Sequence, residues 1–234
     1  MKRRGKLIVF EGADGIGKTT QTRLLAEGLK ARGYRTAFFS FPRYGSTLGD
    51  VINDLLHRSE RVWRVLDWRA RGLLFAADRM AALPELSRAL ARCDFVCLDR
   101  YVESNAAYLL SEARTSADAR ARAAWVSRLE YDTLGLPRPD VTVLLELAPK
   151  LAQRLIRKER QADVNETLRY QRRLQRAYRL SADPRMSRLR VSASGDHTRV
   201  LPPDNVHARV VHALVRANIL PGRLLKYTGQ RTMS

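Results

Sequence analysis

Residues 12 to 19 run Gly12-Ala13-Asp14-Gly15-Ile16-Gly17-Lys18-Thr19, a full match to the phosphate-loop pattern G-x-x-x-x-G-K-S/T. The flanks suit the pattern. Leu7-Ile8-Val9-Phe10 precedes it as an apolar run that reads as a buried strand. Thr20 to Arg32 follow it with Leu24, Leu25 and Leu29 at helical spacing. Strand, glycine-rich turn and helix together restrict the chain to folds that present a helix N-terminus to an anion. The glycines allow a tight turn whose N–H groups converge on one point, so Gly12 through Thr20 form the expected nucleotide-binding loop. Lys18 is expected to reach the β- and γ-phosphates of ATP, and the Thr19 hydroxyl to bind Mg²⁺. Only seven of the 43 basic residues are lysines, which makes a lysine at this position hard to ascribe to background composition.

Apolar segments recur between helical stretches, at Leu7–Glu11, Thr36–Phe41, Phe95–Asp99, Val141–Leu147 and Leu189–Ser192. Helical patterning is expected at Asp67–Ala91, Ala117–Leu134, Glu166–Ser181 and Asn205–Ile219, and Pro149 is well placed to open a helix. Such alternation predicts an α/β fold of the P-loop NTPase type, with a parallel five-stranded sheet and helices on both faces. Ligands then bind beyond the carboxyl ends of the strands. Residues 1–220 are expected to form one domain, with a small Arg-rich lid near 150–166. Residues 221–234 have few apolar side chains and a net charge of +3 and read as a mobile basic tail.

Phosphoryl chemistry needs a carboxylate near the metal and cations on the phosphates. Phe95-Val96-Cys97-Leu98-Asp99 is an apolar strand ending in an acid, a Walker-B arrangement. A parallel sheet would bring Asp99 beside the phosphate loop, with Arg100 aimed at the same crevice.

Charge and cysteine content narrow the function classes. The chain has 234 residues and a net charge of +19, and residues 150–190 alone carry 13 Lys/Arg against four Asp/Glu. This invites a nucleic-acid reading, yet no RNA-binding motif and no second module accompany it. No run of 18 apolar residues is present, so no membrane span is expected, and the basic N-terminal residues lead into a strand instead of a signal sequence. Cys93 and Cys97 read as reduced thiols of a cytoplasmic protein. His57, His197, His207 and His212 show no metal-ligand spacing.

The longer segments resemble the thymidylate (dTMP) kinase family. Phe10-Glu11-Gly12-Ala13-Asp14-Gly15-Ile16-Gly17-Lys18-Thr19-Thr20-Gln21 is similar to that family's loop, internal Asp included. Phe41-Pro42-Arg43-Tyr44-Gly45, Leu74-Phe75-Ala76-Ala77-Asp78-Arg79 and the segment from Asp99-Arg100-Tyr101 to Asn105-Ala106-Ala107-Tyr108 resemble its further blocks in the same order. Leu134-Gly135-Leu136-Pro137-Arg138-Pro139-Asp140 resembles the approach to its fourth strand. The resemblance covers roughly residues 6 to 180, and its wording is most similar to the actinobacterial branch.

The resemblance implies Mg²⁺-dependent transfer from ATP to dTMP by a homodimer. It places Phe75 on the thymine ring, Arg79 and Asn105 on the base, and Tyr108 against the sugar 2′ position. Phe41, Pro42 and Tyr44 would wall the monophosphate pocket. Asp14 would face the sugar 3′-hydroxyl, Asp99 would bind Mg²⁺ with Thr19, and Arg100 would clamp acceptor and transferred phosphates. Because Ala13, Asp14 and Ile16 are non-basic, the further cation is expected from the lid, among Arg154, Arg157, Lys158 and Arg160, with Arg157 as the candidate catalytic residue. Asp163 and Glu166 echo the family's acidic lid motif, whereas Asn165 stands where the family has an aromatic or large apolar residue. Two other readings compete: a related kinase acting on another nucleotide or nucleoside, and a nucleic-acid-binding P-loop ATPase.

Overall fold

The computed structural model describes residues 5–159, 168–181, 183, 185–195 and 199–227. Five strands form one parallel sheet: β1 (Lys6–Glu11), β2 (Thr36–Ser40), β3 (Phe95–Asp99), β4 (Val141–Glu146) and β5 (Arg188–Ser192), in the order β2-β3-β1-β4-β5. β1 is central and pairs with β3 on one side and β4 on the other. The register sets Phe10 beside Asp99, so the phosphate loop and the acidic strand end emerge together.

Side chains alternate across β1 as the strand period requires. Leu7 and Val9 enter one core with Leu86, Leu98, Ala107, Leu174 and Tyr178; Ile8 and Phe10 enter the other with Leu25, Leu29, Val143, Val210 and Leu214. The first face is covered by α4 (Trp68–Arg92), α5 (Val102–Ser111) and α8 (Leu168–Leu180). The second is covered by α1 (Lys18–Lys30), α7 (Pro149–Glu159) and α9 (Pro203–Arg216). The remaining α-helices are α2 (Thr47–His57), α3 (Glu60–Val65) and α6 (Ser116–Ser127).

Three expectations are revised. Helical patterning through Leu134 resolves into α6 and a separate π-helical segment, Arg128–Thr133. The segments α2, α3 and α5 were not anticipated as helices. Residues 221–227, expected to begin a mobile tail, include a 3₁₀ turn over Gly222–Tyr227, with Leu224 buried in the second core and Arg223 donating to the Tyr34 hydroxyl. A single buried leucine anchors a segment whose average composition is polar. Residues 228–234 lie outside the described residues. No described helix is long and apolar enough to cross a membrane. Cys97 is fully buried and free, and burial pushes its thiol up to about 12.

Candidate active site

The phosphate loop joins β1 to α1 through backbone that only glycine enters freely. Gly12, Gly15 and Gly17 all have positive φ. A Cβ on Gly12 would also lie 2.6 Å from the Leu145 carbonyl oxygen of β4, so this turn is bound to its neighbouring strand. α1 starts at Lys18 with Gly17 as its N-cap and no side-chain capping bond, which leaves its first N–H groups for an incoming anion. Lys18 is buried and donates to the Ala13 carbonyl at 2.5 Å. Burial, then the neighbouring Arg100 charge, lower its ammonium from 10.5 to about 8, against the pull of Asp14, Asp99 and Glu11.

Asp99 ends β3 directly beside this loop. Its Oδ2 accepts from the Thr19 hydroxyl at 2.5 Å and from the Ser40 hydroxyl at 3.4 Å, while Oδ1 is buried without a partner. An orphaned carboxylate oxygen next to a hydroxyl is a hard-oxygen donor set of the kind Mg²⁺ takes when phosphates and water complete its shell. Among the described residues no cluster of three or more His, Cys, Asp or Glu could hold a metal unaided.

Arg100 follows in left-handed backbone (φ 65), which is unfavourable for a residue with a Cβ. Its guanidinium pairs with Asp14 of the phosphate loop and reaches the Ser104 and Tyr178 hydroxyls at 3.3 and 3.2 Å. Tyr108, on α5, donates to the other Asp14 oxygen at 2.7 Å. Loss of hydration would raise the Asp14 carboxyl, but Arg100, Lys18 and Tyr108 outweigh it and hold the group below its ordinary value.

These groups line one cleft of 1210 Å³ that runs past both ends of the phosphate loop. On the α4/α5 side lie Phe75, Arg79, Asn105 and Tyr108, with Phe41, Pro42 and Tyr44 at the end of β2. Arg43 anchors that last segment: its backbone N–H and its Nε reach the two carboxylate oxygens of Asp78 at 2.9 and 3.2 Å. Gly49 of α2 packs so closely that a Cβ there would sit 1.9 Å from the Arg43 carbonyl oxygen. Trp63 of α3 meets Phe75 edge-on, with ring centroids 6.0 Å apart. Arg79 is buried and bidentate with Glu130, and Asn105 Nδ2 donates to Glu130 at 2.7 Å and to the Gly72 carbonyl at 3.0 Å. Asn105 Oδ1 is left without a partner. Across the loop, Ala193, Val200, Leu201, Pro203 and Val206 give the other end of the cleft an apolar wall, tied to α1 by Gln21 Nε2 donating to the Pro203 carbonyl at 2.9 Å.

A family model described as thymidylate kinase matches residues 10–199. The chain belongs to the thymidylate kinase family. Thymidylate kinase from Mycobacterium tuberculosis is 40% identical over 158 residues, covering 67% of this chain and 73% of that protein. The Afipia carboxidovorans thymidylate kinase is 32% identical over 227 residues, 94% of each chain. Among solved structures, thymidylate kinase from Candida albicans superposes with a TM-score of 0.66 at 23% identity, over 94% of this chain and 95% of that one. Thymidylate kinase from Ehrlichia chaffeensis gives 0.63 at 21% identity, over 90% and 98%. These two structures share the fold.

The residues that resemble thymidylate kinase motifs converge on the cleft from β1, β2, β3, α4 and α5. Arg157 lies in the last turn of α7, and Arg154 is exposed. Arg160, Asp163, Asn165 and Glu166 lie outside the described residues. Sequence reasoning missed Glu130, which sits in the π-helical segment with no motif around it. It also assigned no part to Glu11, Asp78 and Ser104, although each stands inside a quoted block. Tyr178 and the apolar donor-side wall had no sequence signal beyond ordinary helix and loop patterning.

Proposed function

We propose that this chain transfers the γ-phosphoryl group of ATP to dTMP, forming ADP and dTDP by direct in-line displacement. The observation that carries the reading is a donor and an acceptor, Arg79 and Asn105, that share the lining of one cleft with the Phe75 ring. Asn105 spends its Nδ2 on Gly72 and Glu130, which fixes the amide so that Oδ1 is a buried acceptor without a partner. Arg79 spends Nε and Nη2 on Glu130, and its guanidinium can only donate. Thymine offers an N3–H to Oδ1 and carbonyl oxygens to Arg79. Cytosine presents an acceptor at N3 and an amino group at C4, the opposite pattern. Tyr108 stands against the sugar and favours a deoxyribose.

Catalysis then rests on positioning and charge. Lys18 and the loop N–H groups hold the donor phosphates, and Arg100 spans the acceptor and the transferred group. Thr19 and Asp99 would hold Mg²⁺, which when bound neutralises phosphate charge. Ala13, Asp14 and Ile16 supply no cation, so one lid arginine, with Arg157 the first candidate, meets charge that develops in the transition state. The 40% identity with the Mycobacterium tuberculosis protein supports a place near the actinobacterial branch. Exposed Val51 on α2 and Leu73 and Met80 on α4 give an apolar face suited to a homodimer. A cytoplasmic setting accords with the free thiols.

The test is ADP release with dTMP, dUMP, dCMP, UMP and dGMP as acceptors. The expected order puts dTMP first, dUMP next and dCMP far below. A chain equally active on dCMP, or active only as an acceptor-independent ATPase, would overturn the reading.

A further inference from the structure

β1 ends in Glu11, a fully buried carboxylate one residue before the phosphate loop. All four of its hydrogen bonds come from the segment that begins at Arg100 or from α8. Oε1 accepts the backbone N–H of Tyr101 at 2.8 Å and that of Ser104 at 3.0 Å. Oε2 accepts the Ser104 hydroxyl at 2.5 Å, with the Tyr178 hydroxyl at 3.4 Å. α5 has no side-chain cap of its own, so Glu11 caps it from the neighbouring strand.

The same two hydroxyls are the ones that Arg100 Nη1 donates to, and Tyr178 and Ser104 are 2.9 Å apart. The donors and acceptors of this set give its hydrogen bonds an overall direction, from the guanidinium to the carboxylate. The guanidinium has only donors, so both hydroxyl oxygens accept from it. The Ser104 proton goes to Glu11 Oε2 at 2.5 Å. The Tyr178 proton goes to Ser104 Oγ at 2.9 Å or to the same Glu11 oxygen at 3.4 Å, so both run toward the carboxylate. On its other oxygen Glu11 grips the peptide N–H immediately after Arg100, the residue whose backbone is left-handed. One carboxylate thus restrains Arg100 through its backbone and through its side chain, from a strand that leads straight into the phosphate loop.

We propose that Glu11 is a positioning residue for Arg100, ordering the Ser104 and Tyr178 hydroxyls so that the guanidinium is held at the junction of the two nucleotide sites. The proposal rests on Arg100 acting as the phosphate clamp. In Glu11→Gln the amide keeps the volume but places an N–H₂ donor where an acceptor is needed. If that amide faces Ser104, the hydroxyl can no longer donate to position 11. If it faces the backbone, the amide hydrogens oppose two N–H donors. Either way one of the two restraints on Arg100, through its side chain or through its backbone, is lost.

The experiment is a double-mutant cycle with Glu11→Gln and Arg100→Ala in the full chain, reading kcat, the KM for ATP and dTMP, and ATP affinity at equilibrium. Glu11→Gln is expected to lower kcat by roughly ten- to a hundredfold, the loss that misplacing a reacting group produces, with little change in ATP affinity when read at about pH 6, where Lys18 keeps its charge in either protein. In the Arg100→Ala background it should cost nothing further. Losses that multiply in the double variant, or a matching loss of ATP affinity, would show that Glu11 acts through the phosphate loop or the fold and would overturn the proposal. An Arg100→Ala variant with normal turnover would instead remove the clamp reading itself. Should Glu11→Gln be insoluble, Tyr178→Phe carries the same cycle. It removes one hydroxyl of the set, and its effect must likewise vanish without Arg100.

Discussion

Arg79 Nε and Nη2 meet the two carboxylate oxygens of Glu130 at 2.5 and 2.7 Å, with the side chains only 3% and 0% exposed. Burial opposes the Arg79 charge, and Glu130 overcomes that cost and holds the guanidinium protonated. The pair links α4 to the π-helical segment that follows α6, and it sets the direction of Asn105 as well. The arginine proposed to contact the base is therefore one end of a buried ion pair.

It follows that Arg79→Ala changes more than base recognition. It leaves Glu130 buried without its counter-charge, a loss that typically costs about 3–5 kcal/mol of stability. Arg79→Met combined with Glu130→Gln should recover most of that stability while the KM for dTMP stays high. Urea unfolding and acceptor kinetics on the three proteins separate the two effects. Equal stability of single and double variants would show that the pair is not structural.

Tyr108 separates two contributions that one alanine substitution would merge. Its hydroxyl is bonded to Asp14 at 2.7 Å, and its ring lies beside Arg100, whose guanidinium carbon is 5.6 Å from the ring centroid. Tyr108→Phe should keep the discrimination between deoxyribo- and ribonucleotide acceptors, because the ring proposed to fill the 2′ position remains. Tyr108→Ala should narrow it. The ratio of kcat/KM for dTMP and its ribose counterpart is the measurement, and an unchanged ratio in Tyr108→Ala takes the ring out of sugar selection.

Lys18 gives a pH dependence with a definite sign. Its folded value is about 8 against 10.5 in an unfolded chain, so the free enzyme loses this charge as pH rises through 8. ATP affinity and kcat/KM for ATP should fall above that point. Bound phosphates restore the proton, so kcat should hold to higher pH. The linkage for stability runs the other way. Between about pH 8 and 10.5 the unfolded chain binds the extra proton, and this group makes the ligand-free fold more stable as pH rises. A kcat/KM profile flat from pH 7 to 9.5 would contradict the burial of Lys18.

Most of the scaffold was legible because its elements are local. Phe95-Val96-Cys97-Leu98 is apolar throughout and bounded by Asp94 and Asp99, so the strand's limits are the same in sequence and structure. The phosphate loop carries its own glycines. What escaped notice depends on residues distant in sequence. Glu130 gains meaning only where the fold sets it against Arg79, and Tyr178 only where α8 crosses the Arg100 segment. α5 escaped because its amino end is capped by Glu11, 90 residues earlier, and local capping signals are all that a sequence pattern can register. Leu224 shows the reverse error, since one buried side chain in a polar stretch is enough to dock it.

Asp99 offers the most direct test of the proposed metal site. Its Oδ2 is engaged by Thr19, and its Oδ1 is buried with nothing to bind. Replacing it by asparagine preserves shape and lets the amide oxygen keep the Thr19 bond, so the fold should change little. What disappears is the negative charge that a dication requires of its protein ligands when substrate phosphates supply the rest. Asp99→Asn should therefore move the Mg²⁺ concentration for half-maximal rate upward by about tenfold or more. The loss in kcat at saturating ATP should be on the order of 10²-fold, the scale for removing one preorganised charge contact. Ser40→Ala, which removes only the 3.4 Å contact to the same carboxylate, should leave the Mg²⁺ curve nearly in place. Chelating the metal should abolish turnover in all three proteins without unfolding any of them, because among the described residues no group of three or more His, Cys, Asp or Glu could hold a structural metal. If the Asp99→Asn curve superimposed on the parent curve, the orphaned oxygen would have to serve some other donor, and Thr19 with the nucleotide phosphates would be the whole of the metal site.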